Sequence, residues 1–268
     1  MQVGLHELLG HGCGKLLQET SPGQYNFDHL NPPTNPLTDK PVDKWYKPGQ
    51  TWGSVFGALA GPYEECRAEC VAMALCCDYD ILRIFGFDDG GETDPGKRNE
   101  ASDVMYVSYL QMARAGVAAL EFWDPGTHKW GQPHMQARFS ILRVFLDAGD
   151  GFCRLECSNE DKPEDLAVRI DRGKIISHGR PAVERYLQKL QVYKASANIE
   201  AGRDMFDGLT TVGKWFAQNL RPVVLAKKQP RKVFVQANTV VEDGKAKLKE
   251  YEATPEGMVR SWAERPYV

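Results

Sequence analysis

The sequence has little excess charge of either sign. Its 33 Lys and Arg residues nearly balance its 36 Asp and Glu residues, which leaves a formal charge of −3. It also lacks a basic tract with interleaved aromatic residues, so no nucleic-acid partner is expected. No apolar run approaches the roughly 18 residues of a membrane span, and no secretory h-region is visible. We therefore expect a cytoplasmic protein with no membrane partner.

Cysteine pairs with C-x-x-C spacing are absent as well. Four of the seven cysteines form pairs that are four residues apart: Cys66 with Cys70, and Cys153 with Cys157. An odd count with this spacing disfavours a disulfide framework and is typical of reduced thiols in the cytosol. Cys66 and Cys70 could bind a metal, but their position in an apolar run predicts that they pack as small apolar side chains.

The most informative segment that is present is His6-Glu7-Leu8-Leu9-Gly10-His11. Two imidazoles with a neighbouring carboxylate are the components of a zinc hydrolase site, but the usual H-E-x-x-H motif has its histidines four residues apart. A spacing of five would rotate the second ring by about 140° on a regular helix. Both rings can reach one ion only if the turn holds an extra residue, as in a π-bulge. The pattern predicts such a widened turn, eased by Gly10, with both leucines in the core.

A metal site needs further ligands, since an H-E pair with a nearby histidine also occurs by chance. Catalytic zinc usually has three protein ligands and a water. The segment from Tyr63 to Leu75 supplies Glu64, Glu65 and Glu69 in an apolar run. Glu65 and Glu69 share a helix face, so one could bind the ion while the other accepts the free ring N–H of a histidine. The alternative is that these glutamates form a solvated acidic face. The apolar residues beside them disfavour it, because they predict burial, and buried carboxylates need partners.

Together the two segments resemble the dipeptidyl peptidase III family of zinc exopeptidases. Its two motifs, H-E-L-L-G-H and E-E-C-R-A-E, are matched letter for letter at 6–11 and 64–69. The resemblance extends over most of the chain and includes His134 to Phe139, Ile141 to Val144, Arg231-Lys232, Val235-Gln236 and Glu250 to Ala253.

The resemblance implies a role for each matching residue. It implies one Zn²⁺ per chain, with His6, His11 and Glu65 as ligands. Glu7 would be the general base, and His134 would stabilise the oxyanion. Glu64 and Glu69 would orient the histidine rings. The remaining matches would line the substrate cleft: Arg138, Arg143, Arg231 and Lys232.

From the residues alone, His134 could instead be a capping or packed histidine at the start of its helix. Arg138 and Arg143 are five residues apart and do not share a face of a straight helix, so at least one of them could be structural.

Hydrophobic periodicity predicts a mainly α protein. Helices are expected at 4–17, 51–60, 62–84, 100–121, 133–148, 180–194, 198–208, 210–219 and 254–264. A Pro- and Asn-rich loop is expected at 20–50, a Gly- and Asp-rich turn at 86–96, and a short hairpin within 152–176. The runs 232–242 and 245–252 flank Asp243-Gly244, which is a hairpin signature.

The family has two lobes, and the resemblance implies a division of this chain. Residues 1–225 would form the helical zinc lobe, incomplete at its N-terminus. Residues 226–268 would add a hairpin and a helix to the β-barrel lobe, most of which is missing. Gly53 stands where an acidic residue is expected in animal members. The loop from Asn35 to Lys40 lacks the E-T-G-E sequence by which some relatives bind a Kelch-repeat partner, so no such partner is predicted.

The resemblance thus implies a zinc peptidase that removes dipeptides from the amino ends of short peptides. The alternatives are an inactive or complementation-dependent zinc-binding module and a purely structural zinc protein. A structural site would be closed by four protein ligands, whereas the sequence suggests three.

Overall fold

The fold is mainly α, as predicted. The computed structural model describes residues 1–87, 99–161, 163–228 and 234–265. The α-helices are α1 (Gln2–Gly4), α2 (Trp52–Phe56), α3 (Ala60–Leu75), α4 (Tyr79–Ile84), α5 (Glu100–Ala118), α6 (Pro133–Leu146), α7 (Arg180–Ala195), α8 (Ile199–Thr210), α9 (Arg221–Ala226) and α10 (Pro255–Ala263). Three π-helical turns precede or extend them at Leu5–Gly10, Ile175–Gly179 and Phe216–Leu220, and 3₁₀ turns lie at Gly57–Leu59, Ala119–Phe122 and Arg172–Lys174.

The strands are short and form two-stranded antiparallel hairpins. They are β1 (Glu19–Ser21) with β2 (Gln24–Tyr25), β3 (Thr34–Asn35) with β4 (Lys40–Pro41), β5 (Trp123–Asp124) with β6 (Lys129–Trp130), β7 (Cys153–Glu156) with β8 (Ala167–Ile170), and β9 (Asn238–Glu242) with β10 (Lys245–Lys249). The β7–β8 pair confirms the hairpin predicted within 152–176.

Helix α3 is the centre of the helical part. It lies against the first π-helix, α6 and α7, and nine of its residues between Tyr63 and Met73 are buried. A helix with neighbours on several sides buries residues all round, which explains why its sequence shows little amphipathic periodicity. The carboxylate of Glu69 is buried, and those of Glu64 and Glu65 are half-buried against neighbouring elements.

Helices α5 and α6 approach each other closely at Gly116. A Cβ atom at this position would lie 2.6 Å from the Arg138 carbonyl oxygen and 2.5 Å from the Leu142 Cβ. Only glycine permits this contact, because any larger residue would push the two backbones apart. The contact fixes α6 beside α5, and α6 carries His134 and Arg138 towards α3.

The predicted and observed helix bounds differ most at three places. The helix expected at 4–17 ends after Gly10, and Gly14 has a positive φ of 100° that no regular helix contains. The helix expected at 62–84 is divided, because Asp78 caps a new helix by accepting hydrogen bonds from the backbone of Asp80 and Ile81. The helix expected at 210–219 begins later, after Gly213, and continues through the π-turn at Phe216–Leu220.

The hairpin of β9 and β10 turns at Asp243-Gly244, as predicted. Both turn residues have positive φ, 53° and 70°, as a type I′ turn requires. The first strand begins at Asn238, because the described residues before it, 234–237, are not in a strand. Most of the predicted turn at 86–96, together with Arg231 and Lys232, lies outside the described residues.

The chain divides into two compact units, Met1–Ala226 and Lys227–Val268. The first contains α1 to α9 and one continuous apolar core built around α3, α5 and α6. The second contains the β9–β10 hairpin and α10, joined inside the unit by Asn238, whose side-chain amide donates to the Ser261 carbonyl oxygen (2.9 Å) and the Tyr251 hydroxyl (2.8 Å). In the described parts of both units, no helix is long and apolar enough to cross a membrane.

Candidate metal centre

The first π-helix brings two histidines into register. The backbone N–H of His11 donates to the carbonyl oxygen of His6 at 3.0 Å, which closes a turn of five residues. Residues five apart then lie on the same face, as the sequence spacing required. The Nε2 atoms of His6 and His11 are 3.1 Å apart, and the two rings meet edge to face. The predicted widened turn is confirmed.

Gly10 has a role that the sequence did not indicate. A Cβ atom there would lie 2.8 Å from the Cβ and 2.9 Å from the Cα of Ala68 on α3. The φ of Gly10 is negative, so its backbone does not require a glycine. The close contact between the π-helix and α3 does require one. The prediction that Leu8 and Leu9 lie in the core is wrong. They are 75% and 44% exposed, because the wider turn directs them away from α3.

Glu65 of α3 brings a carboxylate to the two imidazoles. Its Oε2 lies 3.2 Å from Nε2 of His6 and 3.6 Å from Nε2 of His11. Donors at about 2.0–2.1 Å from a tetrahedral zinc ion are separated by about 3.3 Å. The three atoms, with separations of 3.1, 3.2 and 3.6 Å, therefore fit one zinc ion.

The hydrogen bonding of Glu65 supports the same assignment. Its Oε2 is buried and has no hydrogen-bond partner of acceptable geometry among the residues that the structure describes. A buried carboxylate oxygen in this condition is costly unless a cation neutralises it. The donor set thus fits a metal ion by its chemistry as well as by its spacing.

His134 lies on the other side of Glu65. It is the second residue of α6, and its Nδ1 is 3.1 Å from Oε2 of Glu65. The helix cap is made by Gln132, whose side chain accepts from the backbone of Met135, so His134 is not the cap. Its Nδ1 is also buried without a hydrogen-bond partner in the described part of the chain. A ring nitrogen in this position can donate to an oxygen near the metal or can itself bind the metal.

A cavity of about 270 Å³ opens beside these groups. Its lining includes His6, Glu7, Glu69, His134 and Arg138. The carboxylate of Glu7 is exposed and lies within 4.8 Å of ligand atoms of both His6 and His11. It is therefore near the histidine nitrogens, accessible to solvent and open to the cavity.

Glu69 and Arg138 lie behind His6. Oε2 of Glu69 is 3.5 Å from Nδ1 of His6, and Oε1 accepts from Nη2 of Arg138 at 2.9 Å. The Glu69 carboxylate raises the pKa of His6 above its usual range. Burial alone would raise the pKa of Glu69, but its contacts with His6 and Arg138 lower it below the ordinary value. Glu69 thus remains an anion close to Nδ1 of His6, which favours a proton on that nitrogen and leaves Nε2 free for a metal.

Glu64 occupies the matching position behind His11. Its Oε1 is 3.3 Å from Nδ1 of His11, and its carboxylate also contacts Arg67 and Lys194. Burial favours the neutral acid, but hydrogen bonds from these two cations hold the pKa of Glu64 below its usual range. Each histidine therefore has its own glutamate on Nδ1.

The four basic residues predicted for the substrate cleft are not all near the cavity. Arg138 lines it but is bonded to Glu69. Arg143 donates to the Thr211 carbonyl oxygen at 3.4 Å and lies over the Phe216 ring, outside the cavity lining. Arg231 and Lys232 are outside the described residues, so their role stays a prediction.

Sequence reasoning missed the two cations at Glu64. Arg67 had a signal, since it lies three residues after Glu64 on the same helix, where side chains meet. Lys194 had none, because it comes from α7, 130 residues later in the chain. The burial of both cations depends on the packing of α3, α7 and the π-helix, which the sequence does not specify.

A pair of histidines, a half-buried glutamate and an exposed carboxylate beside a cavity are the elements of a metal-dependent hydrolase centre. The chain belongs to peptidase family M49, whose family model matches residues 1–266.

Curated relatives of high similarity carry the name dipeptidyl peptidase 3. That of Nematostella vectensis is 44% identical over 266 residues, and that of Homo sapiens is 45% identical over 269 residues. Each alignment covers 99% of this chain but 35% of the relative, so the chain spans about a third of the length of these proteins. A solved structure of DPP III from Caldithrix abyssi is 15% identical, with a TM-score of 0.48, and covers 84% of this chain and 31% of that one.

Proposed function

We propose that this chain holds one zinc ion and is the catalytic region of a dipeptidyl peptidase that releases dipeptides from the amino ends of short peptides. The observation that carries the proposal is the convergence of three donor atoms, from His6, His11 and Glu65, at the mutual distances of a tetrahedral zinc site. A bound zinc ion would lower the pKa of its water to near 7 and polarise the scissile carbonyl.

Glu7 is the proposed general base. Its carboxylate lies beside the two histidines and faces the cavity, so it can accept a proton from a water held there. The same carboxyl group can then pass the proton to the leaving amine. Its exposure matches this role, since a base that exchanges protons with a water needs access to it.

His134 is the proposed donor to the oxyanion. Its ring lies at the cavity wall beside Glu65, with Nδ1 on the side of Glu65. A preorganised donor close to the developing negative charge stabilises the transition state more than the substrate. The proposed role of Arg138 is changed by its bond to Glu69, which makes it a support for His6 in addition to a wall of the cavity.

The substrates are proposed from the family alone. Short peptides fit a peptidase of this type, and no group that would anchor a free amino end is identified in the described residues. We also propose a cytoplasmic location, because all seven cysteines are free thiols.

Substitution of Glu7 tests the mechanism. Glu7→Gln keeps the size of the side chain and removes its basicity, so hydrolysis of a dipeptidyl-naphthylamide should fall at least about 100-fold. Zinc content, measured by atomic absorption, should stay at one per chain. The matched control is Glu200→Gln, which removes an exposed carboxylate paired with Lys44 outside the cavity and should leave turnover unchanged. Retained turnover in Glu7→Gln would reject Glu7 as the base.

A second candidate function is a structural zinc site. It is favoured by one observation: Nδ1 of His134 is near enough to Glu65 to serve as a fourth protein ligand. Four protein ligands would close the site and exclude water. Zinc bound at one per chain without release of dipeptides would favour this function or a zinc-binding module.

A further inference from the structure

Each of the two metal-binding histidines is supported by a chain of charges. His6 contacts Glu69, and Glu69 contacts Arg138. His11 contacts Glu64, and Glu64 contacts two cations, Arg67 and Lys194. The second chain has one more cation than the first, and it supports the less buried histidine, whose side chain is 30% exposed against 7% for His6.

Arg67 is fully buried and connects four parts of the structure. Its Nε and Nη2 donate to the two oxygens of Glu64, at 3.0 and 2.6 Å. Nη2 also donates to the carbonyl oxygen of Gly10 at 2.5 Å, and Nη1 donates to Oε1 of Gln191 and Sγ of Cys13. All five N–H groups of the guanidinium therefore have an acceptor. The bond to Gly10 holds the end of the π-helix, one residue before His11.

Lys194 adds a second positive charge to a carboxylate that is already paired. Its Nζ lies 2.5 Å from Oε2 of Glu64 and 5.2 Å from the centre of the Trp52 ring, and the residue is 8% exposed. Burying a lysine costs free energy, and Glu64 already has a bidentate partner in Arg67. A contribution to folding stability therefore explains the buried lysine poorly. A restraint on the orientation of the Glu64 carboxylate explains it well.

Fixing that carboxylate has a consequence for His11. The ring of His6 is held by burial, whereas the ring of His11 is partly in solvent and has little packing to orient it. A fixed oxygen at Nδ1 keeps the proton on that nitrogen and turns Nε2 towards Glu65. A mobile oxygen would select this tautomer and this ring orientation less strongly.

We propose that Arg67 and Lys194 are positioning residues, which lock Glu64 and so preorganise His11 for the metal. This inference rests on the proposed function, because it assumes that His11 binds zinc. It adds two residues whose effect on the ion is transmitted through Glu64 and, for Arg67, through the Gly10 carbonyl.

Zinc affinity of the full chain tests the proposal without reference to activity. Lys194→Met keeps an aliphatic side chain and removes the charge. Arg67→Met removes the guanidinium group with all its hydrogen bonds. Competition against a coloured chelator should show zinc binding about 10-fold weaker in Lys194→Met and weaker still in Arg67→Met. The absorption spectrum of the cobalt-loaded Lys194→Met protein should also change, because the ligand field reports the coordination geometry to which His11 contributes. Unfolding midpoints without metal show whether each variant is folded. If Arg67→Met does not fold, Lys194→Met still tests the proposal.

Two comparisons separate positioning from a general effect on structure. Lys44→Met is the matched control, because it removes an exposed lysine that is paired with Glu200 and is not part of this network, so its zinc affinity should equal that of the unchanged chain. In a His11→Ala background, Lys194→Met should cause no further loss, since the two substitutions act on the same ligand.

The outcomes are distinguishable. A chain that binds no zinc at all overturns the proposed function together with this inference. A chain that binds zinc normally, with a folded Lys194→Met variant of equal affinity and an unchanged cobalt spectrum, overturns this inference alone. An equal loss from Lys194→Met with and without His11 also overturns it, because the effect would then not pass through that histidine.

Discussion

Glu65 is the residue on which the candidate metal centre depends most. Its Oε2 lies within 3.6 Å of three imidazole nitrogens, those of His6, His11 and His134. It receives no hydrogen bond of acceptable geometry from the described residues, whereas Glu64 and Glu69 are both bonded to cations. Glu65 therefore has a carboxylate oxygen free to bind a metal, whereas the carboxylates of Glu64 and Glu69 are already paired with cations.

Glu65→Gln should therefore weaken metal binding severely. The amide keeps the volume but is a neutral, poor ligand, so zinc affinity should fall by more than the roughly 10- to 100-fold that loss of an outer partner costs. Isothermal titration with zinc measures the change. Glu156→Gln, which removes an exposed carboxylate of β7 paired with Arg169, is the control and should bind zinc normally. Unchanged affinity in Glu65→Gln would remove Glu65 from the ligand set.

Glu264 gives a residue-scale test in the second unit. Its contacts with Lys249, Tyr251 and Arg260 lower its pKa from 4.5 to about 2, and the hydrogen bond from Lys249 is the largest cause. A depressed pKa in the folded state contributes stability above pH 4.5, and this contribution is lost as the pH falls towards 2. Titration of the labelled carboxyl carbon by NMR should give a midpoint near the lower value. Lys249→Met should move the midpoint up, and a midpoint at the ordinary value in the unchanged chain would contradict the contact.

At the scale of elements, the π-helix at Leu5–Gly10 decides whether the two histidines can act together. Its existence could be predicted because two rings five residues apart cannot otherwise face one ion. The burial of its leucines could not be predicted, since it depends on which side of the turn faces α3. The pairing of Lys194 with Glu64 and the break between α3 and α4 could not be predicted either. The partner of a buried charge and the end of a helix depend on neighbours that are distant in sequence.

Gly10→Ala tests the contact between the π-helix and α3. The added methyl group would lie 2.8 Å from the Cβ and 2.9 Å from the Cα of Ala68, so the elements must separate, at a cost of about 1–3 kcal/mol in unfolding free energy. Zinc affinity should fall with it. Gly61→Ala is the control in the first turn of α3, where an added methyl group would meet no other element of the described chain within 4 Å. It should be neutral or stabilise by about 0.5–1 kcal/mol. Chemical denaturation of both variants measures the difference, and equal free energies of unfolding would show that the close contact is unimportant.

At the scale of the whole molecule, the motifs and resemblance correctly gave a mainly α fold and the family. They also predicted a division near residue 225, and the chain separates into Met1–Ala226 and Lys227–Val268. Assignment of these units to two lobes stays a prediction.

Zinc should stabilise the first unit as a whole, because its proposed ligands come from two elements that are distant in sequence. At a free zinc concentration about 100 times the dissociation constant, linkage adds about 2.7 kcal/mol to the free energy of unfolding. Differential scanning calorimetry should show a rise in the unfolding temperature with zinc, reversed by a chelator. The Glu65→Gln variant should show no such rise at the same concentration. An equal rise in both proteins would mean that zinc stabilises the fold from another site.

X-ray absorption at the zinc edge tests the central claim most directly. For the zinc-loaded chain, we expect nitrogen and oxygen neighbours at about 2.0–2.1 Å, outer-shell scattering from two imidazoles, and one neighbour that comes from solvent. Sulfur at about 2.3 Å, or scattering from three imidazoles in a site closed to water, would contradict an open site made by His6, His11 and Glu65.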